Sequence, residues 1–341
     1  MRGLELGSTV LSVLALAACE PGTTTCTKTG GGIRVSTIDF KTNGSHGMSF
    51  GIAVDGTGYV YMGDYIFNKL WKIAPDTSAV VLAGNGMQGF ADGSGGRGGT
   101  AEFDGLGGVA VDVGGNLYIA DGNNNRIRKV SPDGTTTTLA GNGTPGSDDG
   151  TGGVDGPAEF RDPAGVALDG SGDIYVADTW NYSIRKITPD GTTSTVDTLG
   201  AMFQPAGVVV DDAGVIYIAD YQGARILKVT DGSTTVLAGT GIEGDLDGPN
   251  GVAQFSLPDG IAIDGAGDLY VTDVSSDRIR KVTPDGTTTT VAGNGQAGYQ
   301  DGTGGRDGSA EFSYLGALAV TPGGDAIYVS DAAYLRLICT E

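Results

Sequence analysis

The chain has 341 residues, 62 of them glycine and 12 proline, with 41 acidic against 20 basic side chains for a formal charge of −21. Glycine far above its usual share of roughly 7% marks many tight turns, yet glycine and proline together stay below the roughly 25–30% of a disordered low-complexity chain. The charge repels nucleic-acid phosphates and anionic membrane surfaces, and one histidine with three cysteines excludes a His-rich zinc site, a Cys-x-x-Cys cluster and more than one histidine-dependent active centre.

Residues 1–19 read MRGLELGSTVLSVLALAAC: Arg2 near the start, an apolar run over 10–16 too short to span a bilayer, then small residues before Cys19. This predicts a signal peptide over 1–18. The string Leu16-Ala17-Ala18-Cys19 resembles the lipobox of bacterial lipoproteins, whose cysteine becomes the lipidated first residue. That resemblance implies lipid attachment at Cys19, a flexible tether over 19–32, and an extracytoplasmic place in a bacterial cell envelope with membrane contact through the anchor alone.

From residue 33 onward one unit recurs six times. GIAVDGTGYVYMGD ends at Asp64, and its counterparts end at Asp121, Asp178, Asp220, Asp273 and Asp331, spaced by 57, 57, 42, 53 and 58 residues. Each is followed by a second apolar run such as NRIRKV, a Pro-Asp-Gly-type turn and a Thr-rich run such as TTTTLAG. Four short β-prone runs with turn chemistry between them, in a unit near 42 residues, are what a propeller blade requires. We letter these strands a to d. In strand a, Ile52, Val109, Val166, Val208, Ile261 and Leu318 alternate with Ala53, Ala110, Ala167, Val209, Ala262 and Ala319, small residues that let six inner strands crowd around an axis.

The sixth unit ends without a strand d, whereas residues 33–38 precede the first unit without a partner. Pairing the two closes the ring and removes both open edges. The repeated GVAVD…LYIAD…NRIRKV string resembles the NHL repeat, and six copies imply an all-β, six-bladed NHL β-propeller of four-stranded antiparallel blades over 33–341. Closure brings Cys26 and Cys339 within reach of one short loop, and outside the cytoplasm such thiols are expected to form a disulfide.

Several motifs have plainer readings. Segments such as GNGTPG at 141–146 fit G-x-G-x-x-G, but they run into glycine-rich turns instead of the helix a dinucleotide site needs. Asp92, Asp149, Asp247 and Asp301 open glycine-rich loops and are the candidate ligands for a metal, calcium in particular; the competing reading is turn chemistry, and no cofactor is assigned. The aspartates ending strand b are expected to accept amide hydrogens in the b-to-c turn. The strand-c lysines Lys72, Lys129, Lys186, Lys228 and Lys281 read as solvated or intra-blade charges. His46 stands alone in a Gly- and Ser-rich turn, and no catalytic residue is assigned.

In an antiparallel blade the d-to-a and b-to-c connections emerge on one side of the disc. That side carries the insertions 84–103, 141–160, 239–255 and 293–312, together with the aromatic residues Tyr65, Phe67, Trp180, Tyr182, Tyr221 and Tyr334. Variable loops on a rigid scaffold are where binding concentrates. Tyr65, Trp180, Tyr182, Tyr221 and Tyr334 are therefore the candidate ligand-binding residues, while Phe103, Phe160, Phe255 and Phe312 are expected to pack beneath the insertions. The expected function is a monomeric, non-catalytic scaffold binding a protein or glycan, with no nucleic acid. The alternatives are a lactonase-like propeller hydrolase or lyase, with a divalent cation held by axial carboxylates such as Asp259, and a structural envelope component.

Overall fold

The computed structural model describes residue 26 and residues 32–40, 47–96, 98–196 and 202–340; Cys19 with the leader, and His46, lie outside them. Strand b of all six units (Val60–Asp64, Leu117–Asp121, Ile174–Asp178, Ile216–Asp220, Leu269–Asp273 and Ala326–Asp331) is buried along its whole length. Strands apolar on both sides need cover on both faces, and a ring of sheets packed face to face supplies it. Six apolar clusters do this, each joining two neighbouring blades. One of them sets Ala53, Tyr61 and Leu70 of blade 1 against Phe103, Leu106 and Ile119 of blade 2.

Each sheet runs a-b-c-d with antiparallel neighbours, so the chain is the expected six-bladed, all-β propeller. Arg34–Ile38 pairs with Tyr334–Cys339 in the register Arg34↔Cys339 to Ile38↔Leu335, supplying strand d of blade 6 one residue later than predicted. The pair Gly302–Thr303 adds a short outer strand beyond it. Cys26 and Cys339 form the expected disulfide, with their Cα atoms 5.5 Å apart and 313 residues between them.

The turns between strands a and b hold themselves. Asp55, Asp112, Asp169, Asp211 and Asp264 each accept backbone amides two and four residues on and, through the other oxygen, a tyrosine hydroxyl of strand b. These Asx turns keep that side of the disc short and uniform. The strand-c lysines lie over the same tyrosines, Lys129 Nζ 5.4 Å from the Tyr118 ring centre for example, as intra-blade charges.

Candidate functional site

On the opposite side the inner strands diverge from regular pairing. In blade 3, Pro163 faces Asp178 but Val166 already faces Val176, so strand a carries one extra residue. The same bulge recurs in the other five blades. Bulges re-aim backbone and side chains, and here they turn the second and third residues of strand a toward the axis. Glycine holds the third position in five blades, with Ala317 in blade 6, and close approach is the reason: a Cβ on Gly165 would stand 2.5 Å from the Ala206 carbonyl oxygen, and one on Gly260 2.8 Å from that of Gly316.

The result is a central cavity of about 420 Å³. A ring of Ile52, Val109, Val166, Val208, Ile261 and Leu318 forms its floor. Its walls carry the rings of Phe50, Tyr65, Trp180 and Tyr221. Phe50 and Tyr65 meet edge to face at 5.3 Å, and the Trp180 indole donates to Asp162 at 2.8 Å while the residue stays 45% exposed. The second-position ring reads Phe50, Gly107, Ala164, Ala206, Asp259 and Gly316, so a single carboxylate enters an otherwise apolar circle. Burial pushes the Asp259 carboxyl up to about 6. Burial and the nearby Asp259 charge raise the Tyr221 hydroxyl as well. Gln204, on the same wall, keeps its Oε1 buried with no hydrogen-bond partner among the described residues.

Of the five aromatic candidates, the structure brings Tyr65, Trp180 and Tyr221 together around this cavity. Tyr182 closes a 3-10 turn at φ 54° and Tyr334 stacks near Tyr299 at 5.1 Å; neither lines it. Phe50, Asp162 and Gln204 were passed over by sequence reasoning. Phe50 and Asp259 are visible as the two large residues at a position otherwise held by glycine or alanine, but only the bulge shows that this position faces the axis.

The four insertions are fixed to the blades by one repeated device. Arg128, Arg185, Arg280 and Arg336 of strand c are fully buried. One guanidinium nitrogen of each donates to the aspartate ending strand b: Asp121, Asp178, Asp273 and Asp331. The other donates to Asp92 at 2.8 Å, Asp149 at 2.7 Å, Asp247 at 2.7 Å and Asp301 at 3.0 Å. Both nitrogens also reach insertion carbonyls, those of Asp148 and Glu159 in blade 3. The guanidinium planes lie 5.0–5.2 Å from the rings of Phe103, Phe160, Phe255 and Phe312, which are buried under the insertions as expected.

The four aspartates considered for calcium thus face a guanidinium and, from strand d, the hydroxyls of Thr138, Thr195, Thr290 and Thr37. Among the described residues no group of three or more His, Cys, Asp or Glu side chains is placed to hold a metal ion. The strand-b aspartates accept amide hydrogens from the b-to-c turn in blades 1 to 3, from the backbone of Ile66 and Phe67 onto Asp64 and from the side chains of Asn124 onto Asp121 and Asn181 onto Asp178. They also accept backbone amides at the entrance to strand a, which was not expected, for example Asp104 onto Asp121 and Arg161 onto Asp178. One string, Gly47-Met48-Ser49-Phe50-Gly51, fits the G-x-S-x-G spacing of a nucleophile elbow. Ser49 is buried at the start of strand a, its hydroxyl donating to the Gly51 carbonyl, and strand continues where an elbow would open a helix.

Two stretches match the NHL repeat family model, 103–130 and 160–187, which are the entrance and first three strands of blades 2 and 3. Those two blades of the six-bladed β-propeller carry NHL repeats. The chain is 30% identical over 205 residues to the human NHL repeat-containing protein 3, covering 46% of this chain and 55% of that protein. It is 41% identical over 81 residues to the chloroplastic protein SUPPRESSOR OF QUENCHING 1 of Arabidopsis thaliana, 24% of this chain and 7% of the relative. The chain therefore spans about half or less of the length of the curated relatives it matches. Solved structures similar in fold include an auxiliary nutrient binding protein from Bacteroides thetaiotaomicron, with TM-score 0.66 at 15% identity over 90% of this chain and 76% of the other. A gluconolactonase from Xanthomonas campestris has TM-score 0.62 at 16% identity over 96% and 97%. A virginiamycin B lyase from Staphylococcus aureus has TM-score 0.58 at 14% identity over 91% and 100%. At such identities the likeness is one of fold, and binding proteins and enzymes share it.

Proposed function

We propose that this chain is an extracytoplasmic binding protein, anchored to the cell envelope through a lipidated Cys19. In this reading it takes the exposed group of a protein or glycan into the axial cavity without chemical change. The carrying observation is the cavity itself: about 420 Å³, aromatic-walled and ringed by insertions pinned to the blades. A rigid concave site with few polar groups is what recognition needs. Met87, Phe90, Ile242 and Tyr299 stand exposed on the insertions, offering further contact area to a macromolecule. The disulfide suits an oxidising compartment, and among the described residues no helix is long and apolar enough to cross a membrane. A hydrolase or lyase reading draws support from one feature, the raised carboxyl of Asp259 in the cavity.

A thermal-shift screen of small molecules and glycans against the mature domain separates the two. Hits are expected to be recovered unchanged by mass spectrometry and to lose at least about 1 kcal/mol of affinity, some fivefold, in Trp180→Ala. Conversion of the hits would transfer the chain to the enzymes, and full affinity in Trp180→Ala, Tyr65→Ala and Tyr221→Ala alike would remove the cavity from the account. For the anchor, Cys19→Ser is expected to release the protein from the membrane fraction, since acyl chains supply the attachment. Sedimentation of that variant with membranes at high salt would contradict it.

A further inference from the structure

Among the described residues the charged side chains lining the axial cavity are Asp162 and Asp259, with no lysine, arginine or histidine. Asp162 already accepts the Trp180 indole. Asp259 has no hydrogen-bond or ion-pair partner among the described residues, and the buried Gln204 Oε1 is a second acceptor without a donor. Four aromatic rings line the same cavity as these acceptors, and the electron-rich face of an aromatic ring attracts cations. An unpaired carboxylate at the end of an apolar well is costly to the empty protein and gains most from a positive occupant.

We infer that the group seated in the cavity is an organic cation, a protonated or quaternary amine on an apolar body, held among Phe50, Tyr65, Trp180 and Tyr221 and neutralised by Asp259. This rests on the binding reading above and assigns the charge of what is bound. The net charge of −21 acts in the same direction at long range, drawing cations toward the surface. The rings select against small inorganic ions, because an apolar body is needed to fill the well and displace its water.

Three probes of one shape and different charge test the assignment: 2-phenylethylamine, 2-phenylethanol and phenylacetate, titrated by calorimetry at pH 7.5. Trp180 and Trp71 are the two tryptophans, the latter buried, so quenching of exposed Trp180 gives a second readout of occupancy. The ammonium is expected to bind at least tenfold tighter than the alcohol, with phenylacetate weakest. Asp259→Asn should bring the ammonium to within about threefold of the alcohol, while Asp259→Glu keeps a clear preference. The Asn variant should melt no lower than the native protein at pH 7.5, because it removes a half-buried charge without a partner.

Among the described residues the titratable groups around the cavity are Asp162, Asp259, Tyr65 and Tyr221. With the Asp259 carboxyl near 6, ammonium affinity should fall on acidification from pH 7.5 to 5 while alcohol affinity stays level. Equal affinity for ammonium and alcohol, no ammonium binding, or an undiminished preference in Asp259→Asn overturns the inference. Screening hits that are retained unchanged but are neutral or anionic also overturn it and leave the binding reading standing. An ammonium ligand that is bound and then consumed does the reverse.

Discussion

The doubly substituted protein Cys26→Ser, Cys339→Ser is expected to lose about 3–5 kcal/mol of stability, with the ring opening first at blade 6. The disulfide closes a separation of 313 residues, for which the chain-entropy model gives upward of about 4.7 kcal/mol as an upper estimate. Without it the ring is latched by a five-residue strand, Arg34–Ile38, in which Val35 and Ile38 are the buried side chains. Those two anchors contribute roughly 1.5–3 kcal/mol each, so the latch and the covalent bond are of similar weight and losing one exposes the other. Hydrogen exchange is the measurement of choice: amides of Arg34–Ile38 and Tyr334–Cys339 should lose protection well before those of Ile174–Asp178 at the centre of blade 3. Coincident denaturation of oxidised and reduced protein would show that the strand alone closes the ring.

Closure, blade count and this disulfide were legible in the sequence because a repeat states the fold six times over. Six aspartates in register locate six strands, and the unpartnered strand at each end leaves one way to remove both edges. The site was less legible because it depends on departures from the repeat. Asp259 occupies a position held elsewhere by Phe50, glycine or alanine, and its meaning comes from a bulge that the residue pattern does not announce. The insertion aspartates show a different difficulty. Asp92, Asp149, Asp247 and Asp301 have the composition of a cation-binding loop, and the charge they meet is a guanidinium from the following blade. A signal for it was present. Arginine fills the middle of strand c at Arg128, Arg185, Arg280 and Arg336, each in a blade preceded by an insertion. Blade 4, which no insertion precedes, has Leu227 there, and blade 1, which follows Arg34–Ile38 in the chain, has Trp71. The basic residues of strand c are thus of two kinds, lysines at the edge and arginines in the core.

That division predicts a large and pH-dependent effect for Arg185→Met. The Arg185 and Asp178 side chains are fully buried and paired at 2.9 Å. The same guanidinium holds the carbonyls of Asp148 and Glu159 at 3.0 and 2.7 Å. Methionine replaces much of the volume but leaves Asp178 charged, buried and without its cation, a change that costs about 3–5 kcal/mol in comparable sites. Burial already raises the Asp178 carboxyl, opposed by the Arg161 amide, Asn181 and Arg185. Without the arginine it rises further. A carboxyl raised in the folded state binds its proton more readily there than in the unfolded chain, so stability falls as pH increases through that window. The penalty of Arg185→Met should therefore be larger at pH 7.5 than at pH 5, and adding Asp178→Asn should recover part of it at pH 7.5. Lys186→Met in the same strand supplies the contrast: Lys186 and its partner Asp173 are both partly exposed, so its loss should cost about 1 kcal/mol or less, the range of exposed pairs. Limited proteolysis completes the test, since releasing both carbonyl anchors should make 141–160 the first segment cut. A cost for Arg185→Met no greater than that for Lys186→Met, or one independent of Asp178, would show that the insertion is held by its buried Phe160 instead of by the arginine.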